Sequence, residues 1–485
     1  MEYKIKGYKP EALFRFFEDI SAIPRSSGNE KAISDFLVDF AKARNLEVYQ
    51  DKANNVVIKK PASKGAENKP AVMLQGHLDM VCEKRAGVAH DFEKDGIDLI
   101  VEDGVLRANG TTLGGDNGAA VALMMTILDD NTLIHPPVEC VFTTQEEVGL
   151  DGAVALDKSI LEARTMINLD SEEEGVATVS CAGGMRYTLS KTAEKETVSG
   201  SVVKISFSGL LGGHSGTDID KERYNANKLM ARVLYRISQN GQAKLVSFNG
   251  GNKDNAIPRE CEASVFFADI NEAEKAVQIA TKMCEEFMNE IIPSEPGFKY
   301  TVETAESSNV SVFSFESSKT LINAVCLAPN GIRRRNPNQG YFVVTSLNLG
   351  IVSTSDNTLR LVFAPRSSVA SLQEETKDVL GLLADTFGFS VNIAGQYPGW
   401  AFAENSPVRD VFCECYRNLF NAELKIEAIH AGLECGLFSD AIPGLDAIAV
   451  GPTIRGCHTP DEYLPLDSFE RFYTLLSSVL NHLAQ

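Results

Sequence analysis

The sequence has a single tryptophan in 485 residues, no CxxC pair among its ten cysteines, and fewer basic than acidic side chains. It has no apolar run of about 18 residues, the length a membrane-spanning helix needs, so no span is expected. The amino-terminal stretch MEYKIKGYKPEALFRFFEDI mixes charge with apolar residues. With no h-region and no small-residue cleavage site, it does not read as a signal peptide. Scattered cysteines without a dense framework fit reduced thiols in a cytoplasmic protein better than disulfides. Lys plus Arg is 46 against 66 Asp plus Glu, a net charge of −20. Such a chain repels phosphate backbones, which argues against a nucleic-acid partner. Its one glycine turn of interest, Gly114–Gly118, is not followed by GK[ST], and Asp116 within it would repel an anion, so a phosphate loop is not expected. Hydrophobic residues at 44% and charged residues at 23% exclude wholesale disorder and permit sizeable cores.

What is present is a recurring pattern in which a buried-strand stretch runs straight into a side chain able to bind a metal. It occurs in Ala71–Asp79, Val138–Glu147, Thr165–Asp170 and Ala447–His458. Open α/β sheets bind ligands at the carboxyl ends of their strands. Two His and several acids gathered there have the composition of a hydrolytic two-metal site.

Residues 9 to 45 read as two amphipathic helices around the turn-rich segment 24 to 29, and 46 to 60 as strands. A polar loop, 60 to 69, leads to a region from 71 to about 185 in which strands alternate with helices. That alternation predicts an α/β fold with a mainly parallel sheet and helices on both faces. The segment Ala119–Leu128 is apolar nearly all round and is expected to be buried. Residues 187–398 change style and read as an inserted α+β domain. Within it, Glu262–Ala268 and Thr358–Ala364 are each followed by a helical stretch, about 271–291 and 371–387. A duplicated unit and the chance likeness of two common βα units both remain open. The predicted organisation is a discontinuous catalytic domain, 1–186 and 399–485, hinged to the insertion at Cys181–Gly184 and Tyr397–Trp400.

His77 and Asp79 stand at i and i+2 of a strand end and point the same way. A carboxylate there can fix the tautomer of a ligating imidazole, although a solvated His beside an Asp reads equally from the pair alone. Asp116 sits among glycines, which permit close approach and let one carboxylate reach two cations. An ordinary turn before a helix is the alternative. Adjacent Glu146 and Glu147 face opposite sides, so one can ligate while the other holds a water as general base, although two solvated acids opening a loop read equally from the pair alone. Asp170 falls at the sheet edge, and the acidic run Glu172–Glu174 after it reads as a solvated loop. His458 and His214, each in a glycine-containing loop, read either as functional or as plain loop residues; a glycine setting suits a His delivered by a closing lid. His430 reads as a loop or pocket-lining residue, and His90, His135 and His482 as structural or exposed. Cys82 and Cys457 lie near the motifs without a His/Asn partner arrangement, which disfavours a cysteine nucleophile.

Taken in order, His77-x-Asp79, Gly-Asp116-Asn, Glu146-Glu147, Asp170 and His458 resemble the metallopeptidases of the aminoacylase and carboxypeptidase type. The stretches LQGHLDMV, GTTLGGDNGAA, INLDSEEEG, GLLGGHSG, FNGGNKDNAIPRE, TSLNLGIV, YPGW, IHAGLECGLF and GPTIRGCHTPDE narrow the resemblance to the aminoacyl-histidine dipeptidases, from residue 5 to the end. The resemblance implies a zinc-exopeptidase-like fold with an inserted lid and two Zn2+ per chain, with Co2+ or Mn2+ as possible substitutes. His77 and Asp170 would hold one ion, Glu147 and His458 the other, and Asp116 both. Asp79 would orient the first site and Glu146 would be the general base. His214, Asn255, Arg366 and the loop around Gly432 would grip the substrate. It further implies a cis Asp116–Asn117 bond, a small peptide substrate and a possible homodimer through the lid. Deacylation, carboxypeptidase action on longer substrates and metal-dependent peptide binding without turnover stay open as alternatives. Retention of both Glu146 and Asp79 argues against the last.

Overall fold

The computed structural model describes residues 3–338 and 340–485. The chain divides into two compact units. The first holds the residues up to Ser180 together with Trp400–Ala428 and Leu433–Gln485. The second holds Cys181–Gly399 and Ile429–Gly432. The return of 429–432 to the second unit had no signal in the sequence.

The first unit is built on an eight-stranded sheet. Its spatial order is Glu47–Gln50, Val56–Lys60, Val138–Thr143, Val72–His77, Thr165–Asn168, Asp446–Ala449, Val176–Cys181 and Lys425–Ile429. The four central strands, from Val138–Thr143 to Asp446–Ala449, run parallel. The strands Glu47–Gln50, Val56–Lys60 and Val176–Cys181 pair antiparallel, so the expected parallel sheet is the centre of a mixed one. Val72–His77 and Val138–Thr143 are buried along their whole length, on both faces, as the near-continuous apolar runs require.

Amphipathic helices Glu11–Ser21 and Lys31–Ala43 form where the apolar spacing placed them. The helix Gly115–Asp129 is buried from Asn117 to Leu128, as its uniformly apolar sequence implied. Its first residues are not helical: Asp116 and Asn117 have extended or bridging backbone angles, and the bond between them is cis. This helix and the His77 strand meet at closest range through Gly76. A Cβ built there would lie 2.5 Å from Ala120 Cβ.

The second unit is a nine-stranded sheet. Eight strands run in the order Lys299–Phe313, Lys195–Ser208, Cys261–Phe267, Lys244–Gly250, Val343–Ser355, Thr358–Ser367, Gly183–Thr192 and Ser390–Tyr397. The ninth, Gly331–Arg335, pairs with Val343–Ser355. The internal repeat left open by the sequence is present as topology. Each half runs strand, helix, strand, strand, helix, strand, with helices Ala226–Ser238 and Ile270–Ile291 in one and Phe315–Leu327 and Ala370–Phe387 in the other. Across each half the strands follow the order last, first, third, second. The two second strands meet, Gly250 opposite Val352. One half is inserted into the other: Gly183–Thr192 opens the outer half before the inner half, Lys195–Phe313, begins.

None of the ten cysteines is in a disulfide. Among the described residues no helix is long and apolar enough to cross a membrane. Adding one methyl at this strand–helix contact, Gly76→Ala, is expected to destabilise the chain by about 1–3 kcal/mol. A urea titration monitored by circular dichroism would read this as a lower midpoint.

Candidate metal centre

Each parallel strand of the first unit delivers a side chain at its carboxyl end. His77 closes Val72–His77; Glu146 and Glu147 follow Val138–Thr143; Asp170 follows Thr165–Asn168; His458 lies in the turn after Asp446–Ala449. Asp116 enters from the glycine loop. His77 Nε2 lies 3.0 Å from Asp116 Oδ1 and 3.5 Å from Asp170 Oδ1. His458 Nε2 lies 3.2 Å from Asp116 Oδ2 and 3.2 Å from Glu147 Oε2. Asp116 thus uses one oxygen towards each imidazole. Three groups, His77/Asp116/Asp170, Asp116/Glu147/His458 and His77/Glu146/Glu147, each offer ligand atoms within 4.8 Å of one another.

Asp79 lies beneath this cluster, fully buried. It accepts from the backbone N–H of Glu146 (3.1 Å) and of Glu147 (3.2 Å) and from Ser27 Oγ (2.8 Å), and its Oδ1 is 3.3 Å from His77 Nδ1. One carboxylate therefore ties the His77 strand end to the turn carrying both glutamates. Its carboxyl is held below the usual range: burial opposes the charge but is outweighed by the His77 ring, Ser27 and the Glu146 amide.

Burial also works against charge at His77 and is overcome by Asp170, Asp116 and Asp79, which hold the imidazole well above its ordinary value. Hydrogen bonds to Asp116 and Glu147 push His458 up to about 11. Burial would raise Asp116, yet its bonds to His458 and His77 keep it low. The carboxyl of Glu146 is pushed up to about 9 by burial, with Asp170, Glu434 and Glu147 adding to the shift and His77 opposing it.

The residue types suit divalent cations of the zinc class, which take imidazole nitrogen and carboxylate oxygen. Glu147 Oε1 is buried and has no hydrogen-bond donor, the state expected of an oxygen whose partner is a cation.

Several residues of the site carry no local sequence signal. The buried Arg25 guanidinium donates to Leu78 O (2.9 Å), Asp79 O (3.2 Å) and Gly114 O (2.5 Å), joining the His77 segment to the Asp116 loop. Glu434, also buried, accepts from Thr143 Oγ1 (2.7 Å) and Gln75 Nε2, while Gln75 Oε1 accepts from Asn168 Nδ2 (2.6 Å). Asn117 Nδ2 donates to Asp170 Oδ1 at 2.6 Å. The acidic run after Asp170 is less free than expected. Arg471 pairs with Glu174 and Arg455 with Glu173, and Glu172 joins Asp116 and Cys457 in a fourth group of possible ligands.

The other expected site residues, His214, Asn255, Arg366 and Gly432, belong to the second unit. Asn255 and Arg366 line a cavity of about 260 Å³ with Arg186 and Tyr397. Arg366 donates to Tyr397 Oη (3.2 Å), and its Nη2 is 3.3 Å from His214 Nε2. Gly432 leaves room for the Tyr397 ring, which a Cβ would approach to 2.9 Å. His430 is buried rather than loose, its Nε2 2.8 Å from Ser346 Oγ. Burial and the Arg366 charge push it down to about 3.

The family model described as "Peptidase family M20/M25/M40" matches residues 73–482. The chain belongs to this family. It is a metallopeptidase, as the ordered motifs implied. It is 36% identical over 482 residues, 99% of each chain, to the cytosol non-specific dipeptidase of Escherichia coli K12. Its structure matches that of an aminoacylhistidine dipeptidase from Vibrio alginolyticus with a TM-score of 0.94 at 33% identity, covering 99% of this chain and 98% of that one. The aminopeptidase PepT of Bacillus cereus, at 15% identity and a TM-score of 0.57, shares the fold.

A cation entering the cluster must displace protons, because only neutral imidazole ligates. Zinc added to chelated metallopeptidase at neutral pH should therefore release protons from His77 and His458, and bind more weakly as pH falls. Calorimetry in buffers of different ionisation enthalpy reads the release. Heats independent of the buffer would contradict it.

Proposed function

We propose that this metallopeptidase hydrolyses dipeptides with a free amino end, chiefly Xaa-His, in the cytoplasm, using two zinc ions. The observation that carries the reading is the convergence of His77, Asp116, Glu147, Asp170 and His458 in one cluster, with Glu146 beside it and Asp79 beneath. The full-length likeness to two proteins named as dipeptidases, one of them named for aminoacylhistidine, supports the substrate class. Ten cysteines outside any disulfide and the E. coli relative's name support the compartment.

His77 and Asp170 would hold one zinc and Glu147 and His458 the other, with Asp116 shared. When bound, the ions supply Lewis acidity for the peptide carbonyl and bring the pKa of water towards ~7. Glu146 takes the proton of the attacking water and passes it to the leaving amine. A base must be ionised, and a carboxyl held at about 9 by burial needs compensating positive charge to become so. Asp79 keeps the His77 ring in register and fixes the backbone of Glu146, so the base does not drift.

In the second unit, His214 Nδ1 accepts from the amides of Gly216 (3.3 Å) and Thr217 (3.1 Å). That places the ring proton on Nε2, facing Arg366 Nη2. Two donors facing each other need an acceptor between or beside them. A substrate oxygen, carboxylate or carbonyl, answers that need, and Asn255 in the neighbouring cavity wall adds an amide.

The test is a panel of β-Ala-His, Gly-His, tripeptides and N-acetyl amino acids, run with metal analysis of the purified protein. Turnover confined to the N-acetyl compounds would overturn the dipeptide reading. Glu146→Ala should retain both metals and lose roughly 100- to 10,000-fold in kcat. Near-normal turnover in that variant would remove Glu146 from the base role.

A further inference from the structure

Glu462 has no part in the roles assigned above, yet it makes the densest set of hydrogen bonds next to the metal cluster. Its carboxylate is buried, 2% exposed. Oε2 accepts from the amides of Leu113 (2.8 Å) and Gly114 (3.0 Å), and Oε1 from those of Gly115 (2.8 Å) and Asp116 (3.2 Å). Successive N–H groups of one loop thus close on a single side chain, and the last of them is the amide of Asp116 itself. Glu462 belongs to the turn that carries His458: Thr459 N donates to Gly456 O and Glu462 N to Thr459 O. Both His458 and the side chain holding the Asp116 loop therefore come from one short segment, 346 residues along the chain from Asp116.

The loop is gripped on its other side by Arg25, through Gly114 O. Neither side leaves free room for a side chain. A Cβ on Gly114 would meet Arg25 Nη2 at 2.4 Å, and one on Gly115 would stand 3.2 Å from Glu462 Oε1. Gly114 also needs its left-handed backbone, φ 69, for its neighbours' N–H groups to converge.

We propose that Glu462 is a positioning residue of the metal centre, setting the distance between the Asp116 carboxylate and His458 by holding the Asp116 loop through its amides. The inference rests on the two-metal reading of the cluster. A carboxylate has acceptors at both oxygens and suits four donors. In Glu462→Gln, the amide nitrogen would turn its own N–H groups towards two of them. In Glu462→Asp, the charge is kept but withdrawn by about one C–C bond, ~1.5 Å.

The measurement uses the full chain stripped of metal. Zinc affinity is read by competition with a chromophoric chelator, and ligand geometry from the visible bands of the cobalt-loaded protein. In both variants zinc should bind about 10- to 100-fold more weakly, and the cobalt bands should shift in position or intensity. Thermal unfolding of the metal-free proteins checks that the fold persists; if Glu462→Gln does not fold, Glu462→Asp decides. Asp461→Asn, on the exposed side of the same turn, should leave both readouts unchanged. Wild-type zinc affinity and wild-type cobalt bands in the variants would overturn the proposal, as would an equal shift in Asp461→Asn. A wild-type protein that takes up no zinc is a different failure, that of the two-metal reading.

Discussion

Carboxylates crowded against two imidazoles, in a place largely closed to water, are the constraint on which the rest of the first unit depends. Like charges repel strongly where the dielectric is low, so each acid is held by a separate device. Asp79 has two backbone amides and Ser27, Asp170 has Asn117, Asp116 has both histidines, and Glu434 has Thr143 and Gln75. The devices do not balance the charge. Burial still pushes Glu146, Asp170 and Glu434 upward, and an oxygen of Glu147 stays without a donor. Bound cations supply the missing charge. Until they bind, the cluster is a cost to the fold, and the surrounding core offsets it with strands buried on both faces and a helix buried from Asn117 to Leu128.

What could be read from the sequence was whatever has a short period or a special local backbone. Strands running into His77, Glu146 and Asp170 are visible because buried parallel strands are apolar throughout and their ends are abruptly polar. The Asp116 loop is visible because glycine flanks an acid. Arg25, Glu434 and Glu462 were invisible for the opposite reason. Each is a single charged residue in an ordinary context, and each acquires its role only when segments 53 to 359 residues apart meet. His430 does sit in a bend, as a histidine before Ala-Gly suggests, but its burial had no local signal because Ser346 arrives from a distant strand.

The second unit shows how topology can survive where a sequence repeat fades. Its halves share one strand order, but the inner half interrupts the outer one after a single strand, so the first strand of the outer half stands apart from the continuous stretch that carries the rest. The halves meet in a chemically mixed pair. Here the inner half contributes His214 and the outer half Arg366, 3.3 Å apart. One member of the pair is an imidazole and the other a planar guanidinium, from non-equivalent positions of the two halves.

Beneath the metal cluster the sheet centre is polar where an apolar residue would pack as well. Gln75 and Asn168 face each other across two parallel strands, and Glu434 reaches both Gln75 and Thr143 on the third. Gln75 stands two residues before His77, and Asn168 two before Asp170. Side chains alternate faces along a strand, so a slip of one residue would turn His77 to the opposite face. Apolar side chains tolerate such slips better than hydrogen bonds do, because dispersion contacts carry little directional information. A buried, mutually bonded layer of this kind contributes little net stability. Its contribution is to make one register of the three strands far better satisfied than its neighbours, and the placing of His77 and of the strand ends that lead to Glu146 and Asp170 follows from that register.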